Sequence, residues 1–239
     1  MLLRLAAGLL WPARCAACNA FVPEGRAFCE SCAVTVAAVD RPCHGCGLPV
    51  DDGRDESRRC QGCQARPLPF SRVWTVLAYG GATTEAVLHL KHGRRRHLAR
   101  PLGALLAPAV AAALDSGVDA LCPVPLHPSR LRQRGFNQAL ELLRVAEKLS
   151  RRPASRPLVA FNGLRRIRDT PALGWESPAS RRRIVAGAFA VERPGWVRGR
   201  RILLVDDVMT TGATLAECTR VLLQAGAAEV QVAALARVD

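Results

Sequence analysis

The chain has 239 residues, 49% of them apolar, so a folded core is available for one large domain or for a medium domain with an appendage. Its formal charge is +14, carried by arginine apart from Lys91 and Lys148. That balance suits a polyanionic partner or a phosphorylated substrate.

The opening stretch, "MLLRLAAGLLWPARC", has an apolar run shorter than the ~20 residues a membrane-spanning helix needs. No A-x-A cleavage site follows it, and Trp11-Pro12-Ala13-Arg14 before Cys15 is a poor lipoprotein signal. It reads as a short amphipathic helix on a soluble, cytoplasmic protein with no membrane span.

Eight of the ten cysteines form four C-x-x-C pairs: Cys15/Cys18, Cys29/Cys32, Cys43/Cys46 and Cys60/Cys63. A disulfide framework fits this spacing badly, and a zinc ribbon fits it well. Two thiolates on one tight turn reach a single ion, and two such turns complete a tetrahedron. Gly45 and Gly47 in "CHGCG" suit a knuckle that aims N–H groups at sulfur. Two structural Zn2+ ions are expected, each closed by four cysteines, leaving His44 unneeded. Sequential pairing is favoured over a crossed scheme, though the spacing permits both. Each four-thiolate site carries a net −2, so two of them lower the formal charge to +10. A short segment rich in Gly and Pro buries little core, so zinc should be its main source of stability. Replacing Cys43 should then unfold this module and leave ligand binding downstream largely intact.

"ARPLPFSR" (65–72) reads as a hinge between a module at 1–66 and a domain at 67–239. Strands are expected at "VWTVLAY" (73–79), "DALCPVPL" (119–126), "GAFAV" (187–191), "RILLV" (201–205) and "EVQVAALARV" (229–238). Helices are expected at "TTEAVLHLK" (83–91), capped by threonine, and at 97–114, with a kink at Pro108. Two more are expected: 137–149 with Asn137 as N-cap, and 214–226 ended by Gly226. This alternation predicts an α/β fold, a parallel sheet flanked by helices.

The segment "RILLVDDVMTTGAT" (201–214) carries the chemistry. Ligands of open α/β sheets bind beyond the carboxyl ends of the strands. Asp206 and Asp207 are expected at such an end, exposed. Thr210, Thr211, Gly212, Ala213 and Thr214 then turn into a helix N-terminus, where free N–H groups favour a phosphate. Acceptors on one side and anion donors on the other match a sugar phosphate. There is no P-loop and no G-x-G-x-x-G after the first strand. A mere helix cap needs one such residue, not the whole series.

"LLVDDVMTTGAT" resembles the phosphoribosyl pyrophosphate (PRPP) motif of type I phosphoribosyltransferases. "HLKHGRRRHLARPLG" and "PVPLHPSRLRQRGFNQA", with the cysteine order, resemble the ComF family of competence-associated proteins. That family places a zinc ribbon before a phosphoribosyltransferase-like domain. The resemblance implies that Asp206 and Asp207 face the ribose hydroxyls and Mg2+, and that residues 210–214 hold the 5-phosphate. It makes Arg130, Arg132, Arg134 and Asn137 candidates for anion contact, with Gly135 allowing a tight turn. Lys91 is the next candidate, with Arg94 to Arg96 behind it.

Two departures stand out. "TPALGWES" (170–177) lacks the glutamine that related chains often carry after the T-P pair. Ile184 stands where an asparagine is common. Both fall in the expected mobile loop, which puts catalytic closure in doubt. Thr210 replaces the acid of purine-salvage relatives, and no base-recognition signature is visible. Two functions follow: a Mg2+-dependent phosphoribosyltransferase-like protein acting on PRPP, or a non-enzymatic component of DNA uptake binding single-stranded DNA or a helicase. Few aromatics are available for base stacking, with Phe136 and Trp175 the exceptions in basic surroundings.

Overall fold

A computed structural model describes residues 12–50, 58–92, 95–150, 157–171 and 177–239. The expected N-terminal helix, Arg94, Trp175 and most of the 170–177 stretch lie outside them.

Five strands form a parallel sheet in the order β1-β7-β6-β2-β3. They are β1 (Val73–Ala78), β2 (Ala120–Pro123), β3 (Leu158–Val159), β6 (Arg201–Met209) and β7 (Glu229–Arg237). The remaining strands, β4 (Leu164–Arg166) and β5 (Phe189–Val191), make a separate antiparallel pair. Central strand β6 is buried on both faces, as parallel sheets require. Its residues alternate between two cores: Leu203 and Val205 enter one, Ile202 and Leu204 the other.

The first core is covered by α3 (Gly81–His92), α4 (Ala99–Asp115) and α6 (Gln138–Ser150). Leu90, Leu102, Leu106, Leu142 and Leu143 supply its bulk. Residues Arg96–Asp115 are long and apolar enough to cross a membrane, yet here they form a core helix with its 3-10 lead-in. The second core is covered by α8 (Ala213–Gln224), α7 (Pro178–Val185) and the β4–β5 pair. Short helices α1 (Glu30–Ala33), α2 (Gln61–Ala65) and α5 (Pro128–Arg134), with a 3-10 turn at Pro194–Trp196, complete the described elements.

Three expectations need correction. The hinge is not free: Phe70 is buried, and Ser71 N–H donates to the Val230 carbonyl, so the segment packs along β7. Helix α3 starts at Gly81, which leaves Thr83 and Thr84 inside the first turn. Its cap comes from Thr35 of the cysteine module, whose Oγ1 accepts the Ala82 N–H at 3.1 Å. Finally, β6 does not stop at the aspartates; it runs on to Met209.

The cysteine module is not a separate body. Cys15, Ala16, Ala27 and Phe28 share the first core with β1, α3 and α4. Val39 N–H donates to the Val76 carbonyl, and Ala78 N–H to that of Ala37. These bonds place residues 37–39 antiparallel along β1, closing a sheet edge that would otherwise invite pairing with other chains.

Candidate functional site

Because β6 continues past the apolar run, the aspartates sit inside the strand and not at an exposed end. Adjacent strand residues point to opposite faces. Asp207 turns toward α3, where the Lys91 Nζ lies 3.2 Å from its Oδ1. Asp206 lies over the other face, within electrostatic reach of Arg166 and Cys218. Its carboxylate accepts the Asp207 N–H at 2.9 Å. Burial and then the Asp207 charge push the Asp206 carboxyl up to about 7, against the opposing pull of Lys91.

Carboxylate oxygens are hard donors of the kind Mg2+ takes, and a cation beside Asp206 would offset the burial and the Asp207 charge that raise its carboxyl. Any Mg2+ held at Asp206 is therefore expected to bind more tightly as pH rises through about 7, where Asp206 ionises. Stability runs the other way: a raised carboxyl pKa means stability falls between the ordinary value of 3.8 and about 7, then levels off. Calorimetric titrations at several pH values check this. A flat profile, or one unchanged in Asp206→Asn, would refute it.

The basic candidates divide into groups. Arg134 is half-buried and feels both aspartates, while burial lowers its pKa. Its Nη1 donates to Gln138. Arg130 donates to the Thr170 carbonyl at 2.7 Å. Arg132 faces solvent. Asn137 is an N-cap as expected: its Oδ1 accepts the Leu140 N–H, and its Nδ2 donates to the Val124 carbonyl. Those bonds occupy its side chain in structure. Gly135, at φ 82°, ends α5 in the left-handed conformation, where glycine is favoured. Arg96 is tied to Glu141 at 2.9 Å and serves the α4–α6 side of the fold.

The loop leads straight from β6 into α8. Gly212 is its N-cap, with φ 75° and ψ 5°. First-turn N–H groups of a helix have no intrahelical acceptor. The buried Oγ1 of Thr211 also has no hydrogen-bond partner among the described residues. Unmet donors beside a carboxylate pair suit a ligand that is anionic at one end and hydroxylated at the other.

Several residues near the site escaped the sequence reading. Arg166, on β4, feels Asp206 and bonds the Thr170 hydroxyl. Ser129 donates to Asp169 at 2.6 Å and holds its carboxyl below the usual range. The His127 Nδ1 lies 2.8 Å from the Ser129 hydroxyl. These bonds join α5 to the stretch after β4. A cleft opens there, lined by Arg168, Asp169, Thr170, Pro171, Ser180, Arg183 and Ile184. The "RRIRDT" run before the T-P pair was the available signal.

The cysteines assemble sequentially. Cys15, Cys18, Cys29 and Cys32 form one cluster, and Cys43, Cys46, Cys60 and Cys63 the other, with Sγ atoms within 4.8 Å of one another in each. Cys18 and Cys29 lie 3.5 Å apart, Cys46 and Cys60 3.8 Å. The edge of a tetrahedron with Zn–S bonds of about 2.3 Å is about 3.8 Å, so the geometry fits zinc. Gly45 and Cys60 N–H groups donate to the Cys43 sulfur at 3.3 and 3.2 Å, as the knuckle glycines suggested. Metal analysis of purified protein should give two zinc ions per chain. A ratio near one would mean that one cluster does not hold metal.

Two family models match the chain. Residues 6–64 match the double zinc ribbon domain, and residues 145–239 the phosphoribosyl transferase domain. The chain is 35% identical over 216 residues to the DNA utilization protein YhgH of Escherichia coli O157:H7, covering 87% of this chain and 89% of that one. It is 40% identical over 121 residues, half of each chain, to Competence protein F of Haemophilus influenzae. Over 108 residues it is 35% identical to Competence protein ComFC of Bacillus subtilis, covering 45% and 40%.

Proposed function

This chain belongs to the ComF family, and from that premise we propose that it binds PRPP, or a closely related phosphoribosyl ligand, together with Mg2+. One observation carries the reading. A carboxylate pair with a lysine at 3.2 Å leads into a helix-opening loop whose buried threonine hydroxyl is unmet. The loop 210–214 takes the 5-phosphate through N–H groups and Thr211. Asp206 and Asp207 take the ribose hydroxyls and orient the cation. Lys91, Arg134 and Arg130 face the pyrophosphate.

In a transfer reaction, an acceptor's lone pair forms the new bond at C1. The C1–O bond breaks, its electrons leaving with pyrophosphate. Mg2+, when bound, supplies positive charge against that leaving group. Lys91 and Arg134 add fixed charge where it develops. The process served is DNA utilisation or competence, which the names of the relatives give for those proteins. Eight cysteines kept as metal thiolates suit the reducing cytoplasm. Titration calorimetry with PRPP and Mg2+ tests the reading, which predicts saturable, Mg2+-dependent heat. No binding overturns it.

A second reading is favoured by Arg165, Arg168, Arg182 and Arg183, all exposed on the β4–α7 side. Here the fold is a scaffold, and this surface or the zinc ribbons bind single-stranded DNA or an uptake helicase. DNA binding of this kind should be indifferent to sequence and fall steeply with salt, because each neutralised phosphate releases counterions. Anisotropy at two salt concentrations measures it. Undetectable binding at low salt removes this reading.

A further inference from the structure

We propose that Arg237 is a positioning residue that couples the second zinc site to the phosphate loop, so that metal at Cys43–Cys63 and anion at 210–214 stabilise each other. The proposal rests on the phosphate reading of that loop. Arg237 ends β7 and is only 6% exposed. A buried guanidinium is costly unless its donors are met. Its Nε donates to the Cys46 carbonyl at 2.6 Å. Its Nη1 reaches the Met209 carbonyl at 3.4 Å and bonds that of Val238. One side chain therefore spans a zinc knuckle and the last residue of β6.

Met209 runs directly into Thr210 and Thr211. It also supports the loop from below. A Cβ added at Gly212 would meet the Met209 Cε at 2.9 Å, Leu68 Cδ1 at 3.5 Å and Phe70 Cζ at 3.7 Å. Leu68 and Phe70 belong to the segment that leaves Cys63, so the ribbon reaches the loop by a second path. The knuckle is in turn docked on β1. Val73 N–H donates to the His44 carbonyl at 2.9 Å, and the Thr75 hydroxyl to that of Gly47 at 2.8 Å. The Cys46 carbonyl keeps its place while the knuckle is closed around metal. If it opens, Arg237 loses an acceptor inside the fold and the β6 and β7 ends must rearrange.

Coupling of this kind is reciprocal. In the parent chain, saturating ribose 5-phosphate should slow zinc release to a chromophoric chelator from one of the two sites by roughly fivefold or more. Arg237→Met should retain zinc when purified, lose that protection, and bind ribose 5-phosphate roughly fivefold or more weakly. Its amides at 210–214 should exchange faster, while those of α4 and α6 stay as in the parent. Arg237→Lys should restore part of each effect, and it stands in if the methionine variant does not fold. Unchanged exchange at 210–214 in a folded variant overturns the coupling, as does a zinc release rate indifferent to bound ribose 5-phosphate. If the parent binds no ribose 5-phosphate, the phosphoribosyl reading fails, and amide exchange alone decides whether Arg237 positions the loop.

Discussion

Replacing Asp206 and Asp207 together by asparagine is expected to lower Mg2+-dependent PRPP affinity by roughly tenfold to a hundredfold, one or more charge-assisted contacts of ~1.5–3 kcal/mol each. The change keeps side-chain size and removes charge. The fold should survive, for a stated reason. Burial raises the Asp206 carboxyl to about 7, so part of its charge is already lost near that pH, and Lys91, released from Asp207, is close enough to solvent to be hydrated. Ribose 5-phosphate should lose less, because loop 210–214 holds its phosphate. Thr211→Val should weaken both ligands. The measurement is a calorimetric titration of both ligands against both variants. If the double variant binds PRPP as tightly as the parent, the acidic pair has no part in binding and the scaffold reading takes first place.

Loss of zinc is expected to destabilise the entire chain, not the ribbons alone. Structural zinc is worth about 10–16 kcal/mol in small modules, comparable with the total stability of a typical domain. The sequence alone suggested that Cys43 could be lost with the downstream domain intact. The structure argues otherwise. Around Cys43, the Val73 N–H donates to the His44 carbonyl, the Thr75 hydroxyl to that of Gly47 and the Arg237 Nε to that of Cys46, while residues 37–39 cover the edge of β1 and Ala16 and Phe28 of the first ribbon lie in the first core. His89, two residues before Lys91, also bonds the Ala16 carbonyl at 3.0 Å. Cys43→Ser should therefore unfold in a single transition. A loss of even about 5 kcal/mol lowers the midpoint by roughly 10–20 °C in a chain of this size. Differential scanning calorimetry decides it. Two transitions, with the larger unmoved, would mean that the ribbons melt independently.

The most legible elements were those whose signal is local. "RILLV" is buried on both faces and reads as a parallel strand, and the helix expected at 214–226 is α8, one residue earlier at its start. The cysteine spacing favoured sequential pairing, and the structure shows it. Helices α5 and α7 were missed because "SRLRQR" and "SRRR" are too basic to show an apolar stripe. Their starts were nevertheless written: His127-Pro128 and Ser177-Pro178 each place a capping side chain before proline at the first helical position. Other features are tertiary and leave no local mark. The α3 cap is supplied by Thr35, which lies 47 residues before Ala82. Arg166 comes near Asp206 only because the β4–β5 pair folds back over the second core.

The bond between Cys46 and Arg237 joins residues 191 positions apart. Ribosomes add roughly 5–20 residues per second, so on the order of ten to forty seconds separate the synthesis of the knuckle from that of its guanidinium partner. Through that interval the second ribbon can load metal but cannot complete its seat. The seat of the second ribbon is therefore completed only when the last strand has been made. Zinc supply during translation, and not only after release, then bears on how much protein matures.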